Sequence, residues 1–324
     1  MVKSTPRTSP PSPQRSAVRT GADRILNDAP HLIAGKRLGI LTNHTGRLSD
    51  GRTIIEAVVK SRIASVAALF APEHGIEGTA YAGTPVGNAI HRELQIPVYS
   101  LYGTVEKPTP EMLRDIDLML CDIQDVGARF YAFVSTVALA LEACAENGLP
   151  FVLLDRPNPI GGIECDGPVR DPSLKSLVGW MPVPIVHGMT IGELVAMCHG
   201  EGWLANGVRT DLHIVQLSGW TRSMWYDETG VPWIPPSPNM RRLSTAILYP
   251  GTCLFEATSA SEGRGTGLAF ELIGAPWLNA DAVLGRLKQF HLPGVSFRKE
   301  QFVPRGYRVD RGGEAIASGA DDAL

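Results

Sequence analysis

The sequence is sparing in several features, and each scarcity closes off a class of function. Its 5 cysteines, Cys121, Cys144, Cys165, Cys198 and Cys253, are scattered, odd in number and without a CxxC pair. They offer neither a zinc cluster nor a redox couple and read as reduced fillers of the core. Charge is nearly balanced, at -3, so there is no basic footprint for nucleic acid, and an anionic polymer would need a local site. No apolar run approaches the roughly 20 residues of a membrane-crossing helix, and the basic N-terminus lacks the apolar stretch of an export signal. As written, the chain reads as cytoplasmic. No GxGxxG follows a strand pattern, the glycines of 262–267 are not followed by Lys-Ser/Thr, and no HExxH occurs. Dinucleotide, P-loop and zincin signatures are therefore missing, and no cofactor or metal is expected.

What is present is a long alternation of short β-type runs and helical patterns. Residues 1–21, rich in Pro, Ser, Thr and Arg, read as a disordered tail. Strands are expected over 38–42, 65–70, 98–101, 118–121, 151–154 and 212–217. Helices are expected over 53–61, 110–116, 131–147 and, behind a capping box of Thr190 and Glu193, about 190–204. The strands are short and apolar on both faces, as in a parallel sheet covered by helices on both sides. The fold class is therefore α/β, a doubly wound, Rossmann-like, mainly parallel sheet over 22–235. After Trp220 the texture becomes rich in Pro and Trp, and 236–324 reads as a smaller auxiliary α+β domain.

In open α/β sheets, ligands bind outside the carboxyl ends of the strands. Four such ends here carry polar residues: Asn43-His44 after the first strand, Glu73-His74 after the second, Asp122, Gln124, Asp125 and Arg129 after the fourth, and Asp155, Arg156 and Asn158 after the fifth. Asp and Asn after strands also serve as Asx turns or helix caps, which is the plain reading of Asp50, Asp117 and Asn158. Glu73 resists that reading, because Pro72 and Gly75 bracket it in a tight turn. Glu73, Asp122 and Asp125 are the catalytic candidates. Arg129, Arg156 and Arg264 are candidates to grip an anionic group, since guanidinium binds carboxylate through paired charge-assisted hydrogen bonds; the alternative for each is a structural ion pair. His44, Glu73, His74, Asp122 and Asp125 include metal-ligating types, but no spacing among them specifies a site.

Taken as strings, GILTNHTG (39–46), FAPEHGIEG (70–78), DIQDVGARFY (122–131), LDRPNPIGG (154–162), VHGMTIGELV (186–195), PPSPNM (235–240), YPGTCLFEATSASEGRGT (249–266) and GAPW (274–277) resemble, in order, a family long described only as a domain of unknown function, DUF1343. That family is associated with exo-β-N-acetylmuramidases of the NamZ type. The resemblance covers about 22–300. It implies a Rossmann-like domain with a smaller auxiliary domain, a cleft site, and release of N-acetylmuramic acid (MurNAc) from the non-reducing end of peptidoglycan fragments such as the disaccharide of MurNAc with N-acetylglucosamine (GlcNAc). It also implies that Glu73 of the PEHG string is catalytic. Asn43, His44, His74, Gln124, Arg129, Asp155, Arg156, Asn158, Glu256 and Arg264 are then the candidate substrate contacts. From Arg305 onward the strings lose that likeness, which suggests an incomplete auxiliary domain, and relatives are often exported.

Glycoside hydrolysis needs an acid for the leaving oxygen and a second group. Glu73 is the candidate acid. Glu77 or Asp122 would raise its pKa, and Asp122, Asp125 or Asp155 would activate water unless the substrate's own acetamido group attacks. Two other classes stay open, a non-catalytic muropeptide-binding protein and a metal-dependent hydrolase of another bond. Oligomeric state is not legible.

Overall fold

The computed structural model describes residues 18–304, with the backbone alone of 307–309 and 315–317. The tail expectation for residues 1–17 falls outside the described residues. Residues 18–21, assigned by composition to the tail, instead belong to the fold: Val18 is buried, and Arg19 bridges Ser218.

Seven strands form one sheet: β1 (Arg37–Thr42), β2 (Ser65–Ala71), β3 (Ala89–Ile90), β4 (Pro97–Ser100), β5 (Leu118–Asp122), β6 (Phe151–Leu154) and β7 (Leu212–Val215). Their order is β3-β4-β2-β1-β5-β6-β7, and every pairing is parallel except that of β3 with β4. The six parallel strands thus follow the doubly wound dinucleotide-fold order, whose direction reverses between β1 and β5. The two-residue β3 escapes a periodicity reading because it is too short to show one.

Helices lie over both faces. Leu38, Ile40, Leu69, Leu118, Leu120 and Val152 point to one side, where they bury Ala22 and Ile25 of α1 (Gly21–Ile25) with Ile54 and Val58 of α2 (Ile54–Ser61). Alternate residues Leu41, Phe70, Met119, Cys121, Phe151 and Leu153 point to the other. They pack against α4 (Ala132–Glu146) and α5 (Ile191–Gly200), with α3 (Pro110–Leu113) at the margin. This period-two division is what a strand buried on both faces produces. Each such side chain, fully buried, contributes about 1.5–3 kcal/mol. Capping boxes start α2 at Thr53–Glu56 and α5 at Thr190–Glu193, the second as expected from the sequence.

Beyond the sheet come α6 (Leu243–Thr252) and α7 (Ala280–Lys288), and a backbone hairpin of β8 (Tyr307–Val309) with β9 (Ala315–Ala317). Tyr249 of α6 stacks edge-on against Phe130, Tyr131 and Phe270, which joins this part to the start of α4. All five cysteines are free, but only Cys121, Cys144 and Cys198 are buried; Cys165 is exposed, so it is no core filler. Among the described residues no helix is long and apolar enough to cross a membrane.

Candidate active site

The turn after β2 brings Glu73 to the carboxyl edge of the sheet. Gly75 N–H closes it on the Pro72 carbonyl, and His74 sits at φ +73, a left-handed conformation uncommon for a residue with a side chain. Such strain concentrates at functional sites. Glu73 is half-exposed, and its Oε1 accepts the Gly83 N–H at 3.1 Å. The Tyr102 hydroxyl, just past β4, also hydrogen-bonds this carboxylate. Burial and the Glu73 charge push that phenol up to about 12, so Tyr102 keeps its proton and acts as a donor. Glu73 is held by neutral donors alone.

Around it the histidines have defined tautomers. His74 Nδ1 faces the Ala80 carbonyl at 2.8 Å and must donate, and burial holds the ring below its usual pKa, so Nε2 carries a lone pair. His44 Nε2 lies 2.7 Å from the Pro235 carbonyl and donates to it. The His44 ring is pressed against Gly78 so closely that a Cβ there would fall 1.9 Å from it, and Gly78 also has φ +65. Only glycine fits that position.

Asp125, in the loop after β5, is buried. Its Oδ2 accepts Gly127 N–H at 2.8 Å and lies 3.7 Å from His187 Nε2. Between Glu73 and Asp125 stands the buried Tyr131 at the N-cap of α4. Burial raises its phenol, Ser237 is a polar neighbour, and the charges of both carboxylates reach it. Asn43 Nδ2, His44 Nδ1, Asp125 Oδ1 and His187 Nε2 are all buried without a hydrogen-bond partner among the described residues. Orphaned polar atoms are rare in folded proteins, and three of these, Asn43 Nδ2, His44 Nδ1 and Asp125 Oδ1, follow the adjacent strands β1 and β5 at the carboxyl edge of the sheet.

Other expected site residues are committed elsewhere. Asp122, expected as a catalytic carboxylate, is fully buried, and both its oxygens are gripped by Arg156 at 2.6 and 2.9 Å. Burial raises its pKa and the guanidinium opposes that rise. Arg156 also donates to the Arg47 carbonyl. Each therefore neutralises the other, and neither is free for an acid–base step or an anionic ligand. Asp155 accepts Thr190 Oγ1, Gly192 N–H and Arg156 N–H, anchoring the start of α5 to the end of β6. It lines a hollow with Glu193, Gln216 and Trp220 that excludes Glu73. Gln124 braces the Asp125 and Pro157 carbonyls, and Asn158 forms an Asx turn to Ile160 while donating to Met189. Arg129 donates to the Pro168 and Val183 carbonyls, 2.6 Å each, and so ties loops together. Asp50 accepts the Arg52 N–H in the Asx turn that is its plain reading and pairs with the Arg52 side chain, whereas Asp117 departs from the turn-or-cap reading and instead pairs with Arg37. Glu77 is exposed, and no contact links it to Glu73.

Arg264 does approach the site, since its charge acts on His74. It is clamped by Glu256 and Glu262 and lies over the Phe270 ring. Tyr102, Tyr131 and His187 escaped the sequence reading. The strings FY (130–131) and VH (186–187) were visible, but nothing in spacing alone places them beside Glu73 and Asp125. Among the described residues no three His, Cys, Asp or Glu side chains are grouped to hold a metal ion.

A doubly wound sheet whose carboxyl edge carries a half-exposed glutamate and a buried aspartate, with a buried tyrosine that feels both charges, defines an α/β protein with a candidate carboxylate site. The chain belongs to the NamZ exo-β-N-acetylmuramidase family: the N-terminal family model matches residues 38–244 and the C-terminal one 247–317. The likeness thus runs through 305–317, past the point where the strings ceased to show it. The peptidoglycan β-N-acetylmuramidase NamZ of Bacillus subtilis (strain 168) is 44% identical over 291 residues, 90% of this chain and 69% of that protein. Two crystal structures of DUF1343 family proteins from Bacteroides fragilis NCTC 9343 are also similar, each at 38% identity. One has a TM-score of 0.83 and covers 89% of this chain and 73% of its own; the other has a TM-score of 0.70, with 81% and 68%.

Proposed function

We propose that this chain is an exo-β-N-acetylmuramidase that releases N-acetylmuramic acid from the non-reducing end of peptidoglycan fragments such as MurNAc-GlcNAc. Glu73 is the acid and Asp125 the second carboxylate. The observation that carries this assignment is the partnering of the strand-end carboxylates. Asp122 is neutralised by Arg156 and Asp155 is saturated by three donors, whereas Glu73 has only neutral donors and Asp125 keeps a bare Oδ1. In this reading Glu73 protonates the glycosidic oxygen as the bond to the anomeric carbon breaks, water adds to that carbon, and Asp125 Oδ1 takes the water's proton. Tyr102 orients Glu73, and Tyr131 keeps a neutral donor between the two carboxylates.

The lactyl carboxylate that sets MurNAc apart from GlcNAc calls for a cation. Of the three candidate arginines, Arg156 is neutralised by Asp122 and Arg129 is tied to the Pro168 and Val183 carbonyls; Arg264 is favoured by position alone, since its charge reaches His74, next to Glu73, although Glu256 and Glu262 already pair with it. Turnover of a chromogenic MurNAc β-glycoside tests the function, with EDTA added in parallel to detect a metal-dependent reaction. Glu73→Gln should fold normally and fail to turn over; near-normal activity in that variant refutes the assignment. Arg264→Gln should erase the preference for MurNAc over GlcNAc glycosides, and an unchanged preference removes Arg264 from the specificity role.

A further inference from the structure

The buried pair of His187 and Asp125 carries a second inference, which rests on the reading of Asp125 just given. His187 is wholly buried, and its Nδ1 accepts the Met189 N–H at 3.2 Å. An accepting Nδ1 is unprotonated, so the neutral ring carries its proton on Nε2. That N–H faces Asp125 Oδ2 across 3.7 Å, beyond hydrogen-bond length, and finds no other protein partner. Asp125 Oδ1 is likewise buried and unpartnered. A donor and an acceptor in one pair are thus both left unsatisfied, which is unfavourable for buried polar groups.

The scaffold around them is fixed. Ala128 and Asp166 both bridge Val186, and Arg129 N–H bonds the Ile185 carbonyl, so the segment before His187 is stitched to the loop that follows Asp125. Gly127, whose N–H holds Oδ2, has φ +84, and a Cβ there would meet Asn158 Oδ1 at 2.3 Å. Two rigid segments therefore hold the side chains just short of contact. Catalytic hydrogen bonds are often long in the free enzyme and tighten in the complex.

We propose that His187 is a positioning residue for Asp125: its Nε2–H closes onto Oδ2 as Oδ1 engages the attacking water, and this fixes the carboxylate in the direction of the reacting group. A bond made only as the reaction proceeds acts on kcat, whereas a brace that merely supports the loop acts on stability.

The test uses the full chain and the chromogenic MurNAc β-glycoside, with Asp125→Asn, His187→Ala, His187→Gln and the double variant Asp125→Asn/His187→Ala. His187→Ala is expected to lower kcat about 10- to 100-fold, the range a misplacement of about 1 Å produces, with KM unchanged. His187→Gln, whose side-chain amide carries an N–H to nearly the same point, should recover most of that loss. In the Asp125→Asn background the histidine substitution should cost nothing further, because its effect passes through the aspartate. Wild-type kcat in His187→Ala beside an inactive Asp125→Asn overturns this proposal alone. So does an equal loss of thermal stability and activity in the Ala and Gln variants, or an additive loss in the double variant. Wild-type turnover in Asp125→Asn overturns the assignment of Asp125 first, and this inference with it.

Discussion

Two carboxylates on the same edge of the sheet, Glu73 after β2 and Asp122 at the end of β5, occupy equivalent places in the topology and meet opposite fates. Asp122 is sealed from solvent and locked to a guanidinium, while Glu73 is half-exposed and held by an amide and a phenol. A buried carboxylate paired with a guanidinium has its lone pairs committed to the fold. A half-exposed carboxylate held by neutral donors keeps lone pairs available. Position at a strand end thus nominates a residue, and its partners decide its role.

The sharpest way to break this contrast is to remove each charge in turn. Glu73→Gln should cost about 10³-fold in kcat, within the range ascribed to a general acid, and leave urea unfolding unchanged. Asp122→Asn should do the reverse: unmatched Arg156 is expected to cost about 3–5 kcal/mol in urea unfolding, while the folded fraction keeps its kcat. If Asp122→Asn instead left stability intact and stopped turnover, the two roles would have to be exchanged.

Asp155 sharpens the comparison from a third position, for it is buried without a countercharge. Burial outweighs its hydrogen bonds from Gly192, Thr190 and Arg156 and lifts its pKa from 3.8 to about 6. The folded state therefore binds this proton more tightly than the unfolded chain. The associated stability is fully present below about pH 4 and is lost as pH rises through about 6, at most about 3 kcal/mol in all. Comparing unfolding free energies of wild type and Asp155→Asn across pH 4–6 should show this falling component only in the wild type. The smallest effect is expected at Tyr102. Tyr102→Phe should lower kcat about 10-fold by freeing Glu73 to reorient, at roughly 1 kcal/mol of lost hydrogen bond. An unchanged kcat would mean that Gly83 N–H suffices to hold it.

Much of the fold was legible because burial on both faces leaves a plain mark: Leu38–Thr42, Leu118–Cys121 and Phe151–Leu154 are continuous apolar runs, and the capping box at Thr190–Glu193 announces α5. Within the candidate site the sequence placed Glu73, His74, His44 and Asp125 on one edge, since all follow strands of a parallel sheet. It could not separate Asp122 from Asp125, three residues apart in the same string, because the difference lies in what crosses from the neighbouring strand. Arg156 follows β6 and reaches back to Asp122; His187 precedes α5 and stops 3.7 Å from Asp125. Neither contact leaves a trace in local spacing.

Composition and period thus determined the layered α/β architecture and the edge on which chemistry gathers, since both follow from which faces must leave water. The pairing of charges was decided by tertiary structure alone. Electrostatic partnering acts over a few ångströms in space between residues dozens of positions apart, and whether a strand-end carboxylate is committed to the fold depends on which donors and charges stand within that reach.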